Sequence, residues 1–198
     1  KMILGQGTNR LFVPIIGKTG DDTYQVPRVD QSTHAINTIT YTHHEVHAGS
    51  YYRSGMNFTL ANGNVCTFGL ITPNTRELHI TWTLNASADG TFTVLEDVTS
   101  FSGGASVTPL NHNRNSSKPS GAVCTRGMTS SDLITPTGGT TILNAVLSTG
   151  KGNAVSRASG AEFILKCNSK YLFRYTNGTS ANIIQLAFEW YEHAPREA

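Results

Sequence analysis

Five consecutive positions, His43-His44-Glu45-Val46-His47, hold the densest run of ligand-type side chains in the sequence. In an extended segment His43, Glu45 and His47 share one face, about 6.6 Å apart at each two-residue step. Neutral imidazoles beside a carboxylate suit zinc or nickel. A row along one strand fans out, however, and does not close a tetrahedron unaided. The helical His-Glu-x-x-His arrangement is not met either, because Glu45 stands between His44 and His47 at the wrong offset. The expectation is a hydrogen-bonded polar face at an edge or interface, with no metal and no cofactor. His43, Glu45 and His47 are the ligand candidates should a metal bind. His193, after Trp190-Tyr191-Glu192, joins this cluster if the first and last strands pair, and is otherwise exposed. Histidines at a subunit contact would respond to mild acid, since they titrate near neutrality.

The second notable run is Asn111-His112-Asn113-Arg114-Asn115-Ser116-Ser117. Asn and Ser side chains bond to their own backbone, so the run reads as an ordered loop. Arg114 is its candidate interface anchor. No nucleophile stands with a base partner and no carboxylate pair is defined. Gly103-Gly104 and Gly138-Gly139 lack the Lys and helix of a phosphate loop. The chain is therefore read as no enzyme.

The elements that must position these residues have a period of two from Tyr41 onward. Leu78, Ile80, Trp82 and Leu84 share one face of a strand and polar residues the other. Ile184, Leu186, Phe188 and Trp190 repeat the pattern, so Leu78, Ile80, Trp82, Ile184, Leu186, Phe188 and Trp190 are expected in one interior. Asn62-Gly63 is a strong hairpin signal. Ala88-Asp89-Gly90, Asn168-Ser169 and Asn177-Gly178 mark further turns. The segment from Ala105 to Gly139 reads as loop with a short strand at 122–125, and Thr141 to Ser148 is readable as helix or strand. No helix is secure. Strands at this spacing predict an all-β antiparallel sandwich, jelly-roll-like, over residues 41–198.

Residues 1–40 differ. Leu11-Phe12-Val13-Pro14-Ile15-Ile16 is brief, and Gly17, Gly20, Asp21, Asp22 and Pro27 interrupt it. This reads as an extended N-terminal arm with one strand-like anchor, or as an edge strand of the same domain. Phe12, Ile15 and Ile16 are interface candidates, because such side chains require a surface to pack on.

Of the 198 residues 38% are hydrophobic and only 14% charged, with 19 Gly and a formal net charge of +2. No cluster of Lys and Arg marks a nucleic-acid footprint, and no apolar stretch is long enough for a membrane helix. Neither nucleic acid nor membrane is an expected partner. Cys66, Cys124 and Cys167 are an odd set at long spacings, expected as buried free thiols made in a reducing cytosol.

Three blocks carry a resemblance. Tyr41-Thr42-His43-His44-Glu45-Val46-His47-Ala48-Gly49-Ser50 resembles the HHEIHxG opening of a family of small tailed-bacteriophage virion proteins. Pro109 to Ser117 resembles that family's N-x-N-R-N-S-S segment. Leu172-Phe173-Arg174-Tyr175 and Phe188-Glu189-Trp190-Tyr191-Glu192-His193 are similar to its closing strands. Val46 stands where the family has Ile, and the first 40 residues lie outside the resemblance.

The resemblance implies a structural virion protein that decorates and cements the capsid by binding the major capsid protein. It would be assembled in the bacterial cytoplasm, resident on the capsid surface, and homo-oligomeric as a dimer or trimer. The interface candidates are then Phe12, Ile15, Ile16, His43, His44, His47 and Arg114. The alternative is a receptor- or glycan-binding head-fibre or tail module on the same core. Tyr51 and Tyr52 would offer sugars a surface, whereas Trp82 falls on the apolar face.

Overall fold

Runs of β-branched and aromatic residues interrupted by Asn, Gly, Ser and Asp produce almost nothing but strands here. The computed structural model describes residues 17–18, 24–25, 40–129, 131–148, 155–158, 162–179 and 181–194. The chain divides into two compact units, Lys1–Thr40 and Tyr41–Ala198. In the first, β1 (Gly17–Lys18) pairs antiparallel with β2 (Tyr24–Gln25). Phe12, Ile15 and Ile16 lie outside the described residues.

The second unit opens with a helix, α1 (Tyr41–His47), then β3 (Tyr51–Leu60), β4 (Val65–Ile71), β5 (Glu77–Ala86) and β6 (Gly90–Glu96). An excursion follows: β7 (Ser100–Ser102), β8 (Ala105–Val107), β9 (Leu110–Asn111), β10 (Val123–Met128) and β11 (Thr135–Thr137). The chain closes with β12 (Thr140–Leu147), β13 (Val155–Ala158), β14 (Phe163–Leu165), β15 (Lys170–Asn177) and β16 (Asn182–His193). Two antiparallel sheets form a sandwich. One runs β13-β5-β16-β3-β9, with β14 also on β5; the other runs β12-β6-β15-β4-β10-β8.

The interior is aromatic. Phe188 stacks on Phe68 at 4.2 Å and meets Phe173 edge-on at 4.7 Å, while Trp82 meets Phe173 at 5.4 Å. These contacts join the sheets, since Trp82 and Phe188 come from one and Phe68 and Phe173 from the other. Leu78, Ile80, Trp82, Ile184, Leu186, Phe188 and Trp190 are all buried in this core. A smaller cluster of Val98, Ile134 and Leu172, with Leu95 and Phe101 packed against it, is built partly from the excursion.

Several local readings change. Residues 141–147 are strand, within β12, and the 105–139 segment supplies short strands as well as loop. Asn62-Gly63 closes no hairpin, because β3 and β4 lie in opposite sheets. The Gly63 amide donates to the Asn177 carbonyl, and the Asn177 amide to Asn64, so this turn bonds to a third segment. Ala88-Asp89-Gly90, Asn168-Ser169 and Asn177-Gly178 likewise carry the chain from sheet to sheet. Turn chemistry marks a reversal; the apolar faces decide which sheet each strand joins.

Candidate functional site

The His43–His47 segment is helical, which corrects the extended reading. Its end is a full Schellman stop. Gly49 takes φ +68°, the Gly49 amide donates to Val46 at 3.1 Å, and the Ser50 amide donates to Glu45 at 3.0 Å. The sequence signal for this was Gly49, two residues past His47.

Helical spacing separates the three ligand candidates. His43 and His47, one turn apart, bring their Nε2 atoms to 2.9 Å on the exposed side. Glu45 turns inward, is buried, and accepts a hydrogen bond from the Ser50 hydroxyl. The His44 Nδ1 lies 3.5 Å from its carboxylate. Burial pushes the Glu45 carboxyl up, but hydrogen bonds from Ser50, Tyr41 and His44 outweigh it and hold it below its ordinary range. His43, Glu45 and His47 therefore form no common site.

The blocks singled out in the sequence nevertheless meet. The Asn111 side-chain amide donates to the Gly49 carbonyl at 2.8 Å, and that of Asn113 to the His47 carbonyl at 3.3 Å. The His112 amide donates to Tyr51, and the Glu192 amide to Ser50. Tyr52, buried, donates its hydroxyl to the Pro119 carbonyl at 2.9 Å. The Glu192 carboxylate is fully enclosed. It accepts from the Gly121 amide (2.9 Å), the Ala122 amide (3.3 Å), the Ser120 hydroxyl (2.5 Å) and the Trp190 indole (3.2 Å). One end of the sandwich is thus assembled from α1, the 109–122 loop and the end of β16.

Arg114 is exposed on a groove of about 590 Å³, with Arg53, Leu110, His112, Arg126 and Gln185 among its walls. His112 packs edge-on against Tyr51 at 4.6 Å. Three guanidiniums on one concavity make it a surface for carboxylates or other anions.

A second cluster lies on the outer face of β5 and β16, where register places His193 opposite Glu77 and Tyr191 opposite His79. The Nε2 atoms of His79 and His193 are 2.7 Å apart. Glu77 Oε2 is 3.8 Å from the first and 3.9 Å from the second. Tyr191 stacks on His79 at 4.6 Å and is roofed by Tyr41 of α1 at 5.3 Å. Burial, together with a hydrogen bond to Glu162, raises the Tyr191 phenol. His193 does approach α1, but through the Tyr41 ring at 6.2 Å. Sequence reading missed Glu77 and His79. Their alternate spacing opposite the apolar stripe was the available signal, and the register with His193 was not.

Comparison with family models, curated proteins and solved structures found no match. Among the described residues no helix is long and apolar enough to cross a membrane. Cys66 and Cys124 are free and buried, each pushed up to about 12 by desolvation. Cys167 is half-buried and directs its thiol to the Arg76 carbonyl.

Proposed function

We propose that this protein is a structural component of a tailed-bacteriophage virion. In this reading it decorates the capsid surface and cements it by binding the major capsid protein as a small homo-oligomer. The observation that carries the reading is the convergence at one end of the sandwich. Tyr41–Ser50, Pro109–Ser117 and Phe188–His193, three of the stretches with the phage-family resemblance, lock together there through Gly49, Asn111, Asn113 and Glu192. Scattered sequence blocks become one surface.

The strand order supports the same reading. β3, β16, β5 and the strands β13 and β14, each paired with β5, form one sheet that faces β4, β15, β6 and β12 in the other, with the chain alternating between them. This order supports reading the sandwich as a double-sheet jelly roll, a frame shared by viral capsid domains and lectins. Exposed Val123, Val146 and Ile183 offer apolar surface for a partner. A stable attachment buries at least about 1,000 Å².

The test is co-sedimentation of the purified chain with shells lacking this component. Saturable binding, weakened by Arg114→Glu, is expected; a folded protein that never pellets with shells overturns the reading. The arginine-lined groove favours a second reading, a head-fibre or tail module that binds acidic glycans. Binding to a panel of sulfated or sialylated oligosaccharides, without binding to shells, would select it.

A further inference from the structure

We propose that Glu77, His79 and His193 form a binding site for a divalent transition-metal ion of the zinc class. The argument begins with the imidazole protons. The His193 Nδ1 lies 2.5 Å from the Ala194 carbonyl, which can only accept, so Nδ1 carries the hydrogen. The His79 Nδ1 has two oxygen neighbours, the Tyr191 hydroxyl and the Glu162 carboxylate, and the carboxylate can only accept. The His79 Nδ1, 3.0 Å from that hydroxyl oxygen and 3.2 Å from Glu162 Oε2, is then also a donor. In both neutral rings the lone pair sits on Nε2. The two Nε2 atoms that carry these lone pairs are 2.7 Å apart. A proton or a metal ion held by both nitrogens reconciles two acceptors at that distance.

The geometry fits a metal. The donor atoms form a triangle with sides of 2.7, 3.8 and 3.9 Å. A point equidistant from all three lies about 2.1 Å from each, the length of Zn–N and Zn–O bonds. Tetrahedral ligands sit about 3.3 Å apart, so the imidazoles need to separate, and the carboxylate to approach them, by about half an ångström each. Two imidazoles and one carboxylate select zinc, cobalt or nickel over calcium or magnesium, which prefer all-oxygen shells.

The supporting shell is also in place. Each ring presents its other nitrogen to an oxygen acceptor, which is the arrangement that orients histidines bound to metal. The two histidines expose only 10% and 14% of their side chains, while Glu77 exposes 29%. The imidazoles are thus already largely desolvated, and the carboxylate side gives the ion its entry and a fourth position for water. Glu77 and His79 come from β5 and His193 from β16, so a bound ion would cross-link two neighbouring strands.

The experiment uses the full chain, stripped with EDTA and titrated with Zn²⁺ by calorimetry, with a thermal melt of each form. One ion per chain and a melting temperature several degrees higher with zinc are expected, since a ligand that binds only the folded state stabilises it. Co²⁺ in place of Zn²⁺ should give the visible absorption of a four-coordinate nitrogen and oxygen site. Glu77→Gln and His193→Gln should lose more than the roughly 10–100-fold in affinity that an outer-shell change costs. Melts of their metal-free forms show that they fold. The double variant His43→Ala/His47→Ala should bind as the parent does. The proposal is overturned if the parent takes up no ion, the imidazoles then sharing a proton instead. It is equally overturned if uptake survives His193→Gln but disappears with His43 and His47.

Discussion

At the end of the sandwich where β3, β5 and β15 finish, three turns are tied by two asparagines; at the opposite end the ties are carboxylates and histidines. The Asn177 amide reaches the carbonyls of Leu60, Ala61 and Thr179 at 3.1, 2.9 and 2.8 Å. The Asn182 amide reaches Ala88, the Tyr175 hydroxyl and Asn177, while its oxygen accepts from Ser87 and Ala88. All of these groups are neutral at ordinary pH. Across the molecule, Glu192 is buried among four donors and lies 3.7 Å from Arg76. Glu45 bonds to Ser50 beside it, and His79 meets His193 on the outer face. An amide-closed end holds shape under any ordinary condition, whereas a carboxylate- and imidazole-closed end is coupled to protons and cations. Of the stretches with the phage resemblance, Tyr41–Ser50, Pro109–Ser117 and Phe188–His193 meet at the second end, while Leu172–Tyr175 runs within β15.

The largest expected effect should erase the comparison. Trp82→Ala or Phe188→Ala removes a ring from the shared interior and should cost about 3–5 kcal/mol. Urea denaturation followed by fluorescence and by circular dichroism should show both ends lost in one transition. Separate transitions would mean that the ends are independent.

Glu192→Ala acts on one end only. It strands the Gly121 amide and the Trp190 indole without an acceptor, each worth about 1–3 kcal/mol when enclosed, while the Ala122 amide keeps the Ser120 hydroxyl as its acceptor. A total loss of about 3 kcal/mol is expected from chemical denaturation, with the unfolding slope unchanged. A loss below about 1 kcal/mol would show that water replaces the carboxylate.

Asn182→Ala is the matching change at the neutral end. Its expected cost is about 2 kcal/mol from lost bonds to buried partners, and that cost should be equal at pH 5 and pH 8. A cost that varied between those values would break the contrast between the ends.

Glu45 supplies the pH-dependent counterpart. Its folded-state carboxyl lies below the ordinary value of 4.5, so its ionised form stabilises the fold. That contribution is present above pH 4.5 and is lost as pH falls through the depressed folded value. Glu45→Gln should cost about 1 kcal/mol at pH 7, and the gap to the parent should close under acid. A gap constant from pH 7 to pH 3 would refute this.

The smallest effect is kinetic. Thiol reagents should leave Cys66 and Cys124 unmodified in the native protein, because burial raises their pKa and blocks access. Mass spectrometry should find any native label on Cys167 alone, and on all three after denaturation.

Much of the fold follows from local pattern. The alternation in Glu77–Ala86 and Asn182–His193 places the apolar side chains inward because successive side chains of a strand point to opposite faces. Turn residues stand at the reversals for an equally local reason. Partner choice is not local: past Asn62-Gly63 the chain enters the other sheet as β4, and β3 pairs instead with β16, more than a hundred residues later. Period two also hid α1. Seven residues carry too little pattern to declare a helix, and the extended reading puts Glu45 on one face with His43 and His47, where the helix turns it inward. The site on β5 and β16 was least legible. Glu77-x-His79 reads as an ordinary polar strand face until the register sets His193, 114 positions from His79, against it. Side-chain alternation is a property of each strand alone, so the sequence determines it; register is a property of two strands and the core they share, so only the tertiary structure decides it.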